Sequence, residues 1–310
     1  MRLKIIGSAA GGGFPQWNCN YRLSRAAREG DPAVEPRTQS SLAASAVPGD
    51  WVLFNASPDI RQQIAATPEL QPTQDAPLRS TPIRAVVLTN ADVDHIAGLL
   101  SLREREPFAL YAAERVLSAI EANPIFNVLD PAIVPRRRLV LEGTTEICGA
   151  DGAYTGISVE TFAVPGKIAL FLEDASAPDG DYGSEAGDTI GVRLFSGKGG
   201  DAVYIPGCAR VDDALKARLT RTDCLLFDGT VYTDDEMITA GVGTKTGARM
   251  GHIAMSGDAG SIATLAGVEA RRIFVHINNT NPVLDARSAE RAAVETAGWE
   301  VAFDGMEIEL

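Results

Sequence analysis

The chain reads Ala85-Val86-Val87-Leu88-Thr89-Asn90-Ala91-Asp92-Val93-Asp94-His95 where a buried strand is predicted to end and an apolar helix, Ile96 to Arg103, to begin. A strand end is rigid and a helix start presents unpaired N–H groups, so the loop between them can direct several side chains at one point. Asp94 and His95 offer a carboxylate oxygen and an imidazole nitrogen, which suit zinc or iron. The alternative interpretation is that Asp92 or Asp94 caps the helix. The loop by itself leaves both interpretations open.

The histidines are the second signal, because the chain contains only three of them, His95, His252 and His276. His276 ends a β-type run that begins at Arg272, and His252 precedes a stretch of small residues that favours a helix. A single histidine is more often a satisfied surface or core residue than a ligand. All three, however, fall at boundaries between predicted elements, which is where sites are commonly built.

Short β-type runs recur in both halves of the chain, and helical patterns lie between several of them. The predicted strands are Leu3 to Ile6, Trp51 to Phe54, Ala85 to Leu88, Ala202 to Ile205, Cys224 to Phe227, Ile273 to Ile277 and Trp299 to Phe303, and the predicted helices are Ile96 to Arg103, Val211 to Leu219 and Ser288 to Ala297. Because strands dominate each half, the pattern favours an α/β fold of two packed sheets with helices outside over one doubly wound parallel sheet. We predict a single domain over residues 1–310.

Composition and charge exclude several classes of protein. The 310 residues are 45% hydrophobic and 22% charged, which is typical of a globular enzyme. The formal net charge of -13 at pH 7 disfavours a nucleic-acid partner, because attraction to phosphates needs a basic face. No apolar run approaches the roughly 20 residues needed to span a bilayer. With no secretory signal at the N-terminus either, we expect a cytoplasmic protein without a membrane partner.

Taken together, these segments resemble the metallo-β-lactamase superfamily, whose metal loop reads Thr-His-x-His-x-Asp-His after a strand. Thr89, Asp94 and His95 match that loop, whereas Asn90 and Asp92 replace its first two histidines. Longer strings across nearly the whole chain resemble the pyrroloquinoline quinone (PQQ) biosynthesis protein B family, namely Gly7 to Asn20, Arg37 to Ser41, Asp228 to Thr230, Gly241 to Thr244, His276 to Pro282 and Phe303 to Met306. The resemblance implies an αββα fold, in which two mixed β-sheets are flanked by helices.

The supply of ligands distinguishes between the metals that such a fold can hold. A dinuclear zinc hydrolase of this fold normally uses several histidines and bridging carboxylates, and three histidines supply it poorly. Two histidines and one carboxylate suit non-haem Fe(II). Asp94, His95 and His276 fit that description, with Asp92 or His252 as a further ligand. We therefore expect Fe(II), with Zn²⁺ as the alternative. Some family members also carry a Cys-x-Cys-x-x-Cys zinc knuckle, but Cys19 stands alone here, which argues against a structural zinc.

The resemblance also implies an activity, the iron- and oxygen-dependent hydroxylation of the tyrosine ring in a cross-linked glutamate–tyrosine amino acid, a small-molecule precursor of PQQ. His252 or Asp228 could then move protons. Lys245 and Arg249 could anchor substrate carboxylates, although a solvated surface is the alternative for both. Two other functions stay open, a hydrolase that retains one zinc ion and a non-catalytic carrier of PQQ or its precursor. A homodimer is a further expectation that no residue pattern decides.

Overall fold

Two β-sheets of seven strands each pack face to face in the computed structural model, which describes residues 1–173, 184–197 and 199–310. The strands of the first sheet are, in spatial order, β14 (Glu307–Glu309), β1 (Arg2–Gly7), β2 (Ser41–Val47), β3 (Asp50–Phe54), β4 (Ile83–Val87), β5 (Ala109–Ala112) and β6 (Arg136–Arg138). Those of the second are β13 (Trp299–Val301), β12 (Arg271–Val275), β11 (Cys224–Asp228), β10 (Asp201–Ile205), β9 (Ile190–Phe195), β8 (Tyr154–Ala163) and β7 (Gly143–Cys148).

Each sheet is part antiparallel and part parallel. In the first sheet, β14 to β3 pair antiparallel and β3 to β6 pair parallel. In the second sheet, β7 to β10 pair antiparallel and β10 to β13 pair parallel. The carboxyl ends of neighbouring parallel strands meet at one edge of a sheet, which is where α/β proteins build their sites. Both sheets are therefore mixed, as the resemblance implies.

Helices cover the outer faces of the two sheets. They are α1 (Arg22–Arg28), α2 (Ile60–Ala66), α3 (Val93–Ile96), α4 (Glu114–Ala122), α5 (Asp213–Leu219), α6 (Glu236–Thr239), α7 (Gly247–Met250), α8 (Ser261–Thr264) and α9 (Ala289–Thr296). Side chains of α2 and α4 pack on the first sheet, and side chains of α1, α5 and α9 pack on the second. The order of layers is thus helix, sheet, sheet, helix, and the predicted αββα fold is confirmed. No helix in the described ranges is long and apolar enough to cross a membrane.

The alternation of side chains along a strand explains how one sequence fills these layers. In β4, Ala85 and Val87 enter the core between the two sheets, whereas Val86 faces the outer helices. In β11, Leu226 enters the same central core while Phe227 faces the helices of the other side. Strands that are apolar on both faces read as continuous apolar runs, which is why these strands could be predicted from sequence.

The prediction of one helix over Ile96 to Arg103 is wrong. The α-helix α3 ends at Ile96, and a 3₁₀ helix continues from Ala97 to Leu102. The break arises because the carbonyl of His95 accepts a hydrogen bond from the Ala56 N–H at 2.7 Å, and Gly98 N–H donates to the Ala56 carbonyl at 2.9 Å. A Cβ atom on Gly98 would lie 2.0 Å from the Ser57 carbonyl oxygen, so only glycine permits this contact.

Candidate metal centre

The ring of His95 is held by a hydrogen bond at one nitrogen, which leaves its other nitrogen available to a metal ion. It is buried in α3, and its Nδ1 donates to the Oδ1 atom of Asn90 at 2.6 Å. Because the proton then resides on Nδ1, Nε2 carries the lone pair, and Nε2 is buried without a hydrogen-bond partner among the described residues. Burial lowers the pKa of His95 to about 4, which keeps the ring neutral at pH 7. A neutral, oriented imidazole with an unpaired nitrogen is the state in which histidine binds a metal ion.

Asp94 and His276 complete a first group of ligand atoms with His95. The Oδ2 atom of Asp94 lies 3.0 Å from His276 Nε2 and 3.9 Å from His95 Nε2. The three ligand atoms lie within 4.8 Å of one another. His276 directly follows β12 and has a φ of 57°, a left-handed backbone conformation that is uncommon for a residue with a side chain. The structure thus brings together the carboxylate and the two histidines that the sequence predicted as ligands.

The charges of Asp94 and His276 stabilise each other. Burial by itself would raise the pKa of Asp94, but the interactions of its carboxylate with His95 and His276 outweigh burial and leave this pKa well below its usual range. Burial also opposes the charged form of His276, yet the hydrogen bond to Asp94 and the charges of Asp94, Asp228 and Asp92 leave the pKa of His276 raised. Without a metal, the site therefore favours an ionised Asp94 carboxylate beside a positively charged His276. A bound metal ion would take the place of that positive charge.

Asp228, His252 and His276 form a second group that shares His276 with the first. His252 Nδ1 donates to the Oδ2 atom of Asp228 at 2.7 Å, which leaves Nε2 of His252 as the nitrogen available for a metal or a proton. Asp228 is fully buried at the end of β11, and its Oδ2 also accepts from the Cys208 N–H at 2.8 Å. The backbone N–H of Cys208 thereby helps to orient the Asp228 carboxylate.

Thr230 connects the two groups, and the sequence reasoning did not assign it a role. Its hydroxyl donates to Asp228 Oδ1 at 2.6 Å and lies 2.8 Å from His276 Nδ1 and 3.0 Å from His252 Nδ1. Since the hydroxyl proton points to Asp228, the oxygen accepts from His276 Nδ1, and the Nε2 atom of His276 is directed to Asp94. The Asp228-Gly229-Thr230 string, which ends a strand, is the signal that could have indicated such a residue.

Asp92 lies beside the groups without belonging to either. It is the N-cap residue of α3, but its side chain makes no capping hydrogen bond, so the capping interpretation is wrong for Asp92. Burial and the neighbouring charge of Asp94 raise the pKa of Asp92, whereas Lys167 and His252 oppose that shift. The carboxylate of Asp92 therefore faces the same space, and its role as a further ligand stays a prediction.

Arg249 is engaged by a carboxylate of the chain itself. Its Nη2 atom donates to Glu173 Oε2 at 3.0 Å, and Lys167 Nζ donates to Glu173 Oε1 at 2.9 Å. Hydrogen bonds from Arg249 and Lys167 lower the pKa of Glu173 to about 2. Lys245 lies half-buried in the loop that precedes α7. The structure thus gives Arg249 a structural ion pair, and the anchoring of a substrate by Lys245 and Arg249 stays a prediction.

Cys19 is a buried cysteine in the loop that precedes α1. Its sulfur accepts a hydrogen bond from the Tyr21 N–H at 3.4 Å, and the thiol is free and buried. The groups of three ligands found within the described ranges contain no cysteine.

Comparison with known proteins shows the family. The Beta-lactamase superfamily domain matches residues 50–277. Coenzyme PQQ synthesis protein B of Methylorubrum extorquens (strain PA1) is 54% identical over 311 residues, and that of Rhodopseudomonas palustris (strain ATCC BAA-98 / CGA009) is 52% identical over 312 residues, with 100% of both chains covered in each case. The chain belongs to the coenzyme PQQ synthesis protein B family. The resemblance found in the sequence is thereby confirmed.

Solved structures agree with this family and with the wider fold. The crystal structure of Zn²⁺-bound PqqB from Methylobacterium extorquens has a TM-score of 0.94 and 54% sequence identity, with 100% of each chain covered. A diphosphatase of the PhnP family has a TM-score of 0.65 at 20% identity, and covers 100% of this chain and 97% of its own. The second likeness shows a shared metallo-β-lactamase fold alone. The first adds that a close relative binds zinc.

Glu236, close to the centre, gives a prediction for stability. It begins α6, and burial raises its pKa to about 7, although hydrogen bonds from the Thr280 hydroxyl and the Tyr232 N–H, both at 2.7 Å, oppose the shift. Between the ordinary glutamate pKa of 4.5 and about 7, folded Glu236 holds a proton that the unfolded chain has lost, so its contribution to stability falls as pH rises through this window.

We expect Glu236→Gln to raise the free energy of unfolding at about pH 8 by on the order of 2 kcal/mol, and to leave it nearly unchanged near pH 4.5. Urea unfolding at both pH values measures the difference. Glu269→Gln, on the surface, is the control and should show no such pH dependence. An equal effect of Glu236→Gln at both pH values would contradict the raised pKa.

Proposed function

We propose that this chain acts in PQQ biosynthesis as a non-haem iron, O₂-dependent hydroxylase of the tyrosine ring of a cross-linked glutamate–tyrosine precursor. Its place in PQQ biosynthesis is supported by relatives that are 52–54% identical over their whole length. The observation that carries the proposal is the group of Asp94, His95 and His276, in which His95 Nε2 is buried and unpartnered. Two histidines and one carboxylate with open positions are the ligand set of non-haem Fe(II) oxygenases.

The ligand inventory supports one metal ion rather than two. The first two histidines of the superfamily loop are replaced by Asn90 and Asp92, and Asn90 orients His95 instead of offering a nitrogen. The two ligand groups share His276, so two ions at once would leave one of them with a single histidine. A two-zinc hydrolase needs a richer supply of nitrogen ligands at each ion.

The residues around the centre would have separate roles in the reaction. Fe(II), when bound by Asp94, His95 and His276, would supply the activation of O₂. Asp228 fixes the ring of His252 through Nδ1, so that His252 can take up or release the phenolic proton of a substrate at Nε2. At the other side, a Cβ atom on Gly11 would lie 3.4 Å from Asp94 Oδ2, so any side chain at that position would occupy space beside the carboxylate. The glycine-rich loop thereby leaves room for a substrate ring.

The test is to load the protein with Fe(II) without air and then add a cross-linked glutamate–tyrosine substrate, O₂ and ascorbate, whose two electrons reduce the second oxygen atom of O₂ to water. We expect a catechol, detected as the gain of one oxygen atom by mass spectrometry, together with O₂ uptake. His95→Ala should reduce both to background, because Nε2 of His95 is the nitrogen that has no other partner. The Zn²⁺-loaded protein is the matched control and should form no catechol. O₂ uptake unchanged by His95→Ala would contradict the iron site.

A hydrolase with one zinc ion is the second candidate, and zinc in the crystal structure of the 54% identical relative favours it. Such an enzyme would hydrolyse a phosphodiester or an ester when loaded with Zn²⁺ and would be inactive as a hydroxylase. Tight binding of PQQ without turnover, and without any need for metal, would instead support the carrier function.

A further inference from the structure

A cavity of about 290 Å³ lies on the far side of the glycine-rich loop from the metal centre. Gly11 lies against Asp94, and the residues that follow it, Gly12 and Gly13, line the cavity together with Arg37, Asp59 and Asp304. The volume is at the lower end of the range for small-molecule sites. The cavity is lined by one cationic and two acidic side chains, which differ in how many hydrogen-bond partners they have.

Arg37 is a buried cation that forms no ion pair with the residues that the structure describes. The residue is 7% exposed, and its Nε and Nη1 atoms are buried with no hydrogen-bond partner in the described part of the chain. Burial lowers the pKa of Arg37 to about 10, so the guanidinium stays charged at neutral pH. A buried charge without a partner costs several kcal/mol, of the order found when one member of a buried ion pair is removed. An anion that entered the cavity would recover that cost.

The two carboxylates differ in how far they are satisfied. Asp304 accepts four hydrogen bonds from the backbone and hydroxyl groups of Ser8 and Thr38, at 2.7–2.9 Å, and is occupied. Asp59 accepts two hydrogen bonds on Oδ2, from the backbone N–H and the side-chain amide of Gln39 at 2.9 and 3.0 Å. Its Oδ1 atom has no donor among the described residues. Asp59 and Arg37 line the same cavity, and each has a charged group with at least one atom that no described residue satisfies.

We propose that this cavity binds the headgroup of an α-amino acid, with the α-carboxylate on the Arg37 guanidinium and the α-ammonium on Asp59 Oδ1. A simple anion would satisfy Arg37 but would be repelled by Asp59 and Asp304, whereas a zwitterion matches both signs of charge. The proposal deepens the proposed function, and its link to the amino-acid ends of a glutamate–tyrosine substrate rests on that function. Binding in the cavity itself needs neither metal nor O₂.

The experiment measures binding of three small molecules to the metal-free protein by saturation-transfer NMR and calorimetry. L-tyrosine carries both charges, tyramine lacks the carboxylate, and 3-(4-hydroxyphenyl)propionate lacks the ammonium. We expect L-tyrosine to bind at least about 10-fold more tightly than either analogue, since each lost charged hydrogen bond is worth about 1.5–3 kcal/mol. Arg37→Met should remove this preference over tyramine, and Asp59→Asn should remove the preference over the propionate.

The controls separate a binding role from a folding role. Arg22→Met, at an exposed arginine of a different cavity, should leave binding unchanged. Arg37→Met should leave Tm unchanged or raise it, because an unpaired buried charge is removed. If the Tm of Arg37→Met fell markedly and the wild-type protein bound no L-tyrosine, Arg37 would have a structural role and the proposal would be overturned. Equal binding of L-tyrosine and the propionate, with Asp59→Asn harmless, would show a plain anion site and would also overturn it.

Because these measurements use metal-free protein, they are independent of the hydroxylation test. Binding of L-tyrosine with the expected variant pattern, combined with no catechol from the Fe(II) protein, would retain the headgroup site and reject the hydroxylase. If the protein forms catechol and neither Arg37→Met nor Asp59→Asn changes the KM for the substrate, the headgroup site is rejected and the hydroxylase is retained.

Discussion

His276→Ala is expected to abolish metal binding, with an affinity loss of more than about 100-fold, because loss of a ligand exceeds the ~10–100-fold cost of losing a group that only orients one. His276 belongs to both ligand groups and lies 3.0 Å from Asp94 through Nε2. Its removal leaves each group with one histidine and one carboxylate. His252→Ala, by contrast, leaves Asp94, His95 and His276 intact and should retain one bound ion.

Metal content after anaerobic loading with Fe(II), and separately with Zn²⁺, measures this difference. His276→Asn is the matched variant, since asparagine tolerates the left-handed backbone that His276 adopts at a φ of 57° and so preserves the local fold. It should lose the metal as His276→Ala does. Full metal content in His276→Asn would show that the centre lies elsewhere, and loss of metal in both His276→Asn and His252→Ala would place it at the second group.

Asn90→Ala should weaken metal binding by ~10–100-fold while leaving the ligands in place, because it removes the acceptor that fixes the ring of His95. Asn90 Oδ1 accepts from His95 Nδ1 at 2.6 Å and from the Asp92 N–H at 3.0 Å. Without it, His95 can protonate Nε2 instead, and the lone pair is lost from the metal side. Asn90→Asp keeps an acceptor and should restore most of the affinity.

A competitive chelator titration with Zn²⁺ provides the affinities, and thermal unfolding without metal shows whether the variants fold equally well. Asn90→His adds a useful comparison, since it restores the first histidine of the superfamily loop. If Asn90→Ala binds metal as tightly as the wild-type chain does, Asn90 has no part in orienting His95, and the loop has simply lost a ligand.

The parts of this structure that follow from local patterns could be predicted from the sequence. The strand ending at Val87, the polar loop after it and the ligands Asp94, His95 and His276 all follow from apolar runs and from residues at their ends. The role of Asn90 could not be predicted, because it depends on which way one amide points. The same holds for Thr230, whose hydroxyl bridges strands that are joined only in the folded sheet.

Charge balance was the least predictable property. Arg249 looked free to bind a substrate, but Glu173 comes from a distant part of the chain and pairs with it. In the sequence, Arg37 only opens one of the strings that resemble the family, and only the folded chain shows that two of its guanidinium nitrogens are buried without a hydrogen-bond partner among the described residues. Whether an arginine has a partner depends on long-range contacts, which no short motif records.

The ligands of the first group come from opposite sheets, since Asp94 and His95 follow β4 whereas His276 follows β12. At this edge the sheets are already tied by backbone hydrogen bonds, from Ile190 N–H to the Thr89 carbonyl and from Ile277 N–H to the Ser8 carbonyl, both at 2.9 Å. A bound ion would therefore bridge the two halves of the chain, neither of which supplies a complete ligand set. Binding of the ion would therefore stabilise the packed sandwich against separation of its two sheets.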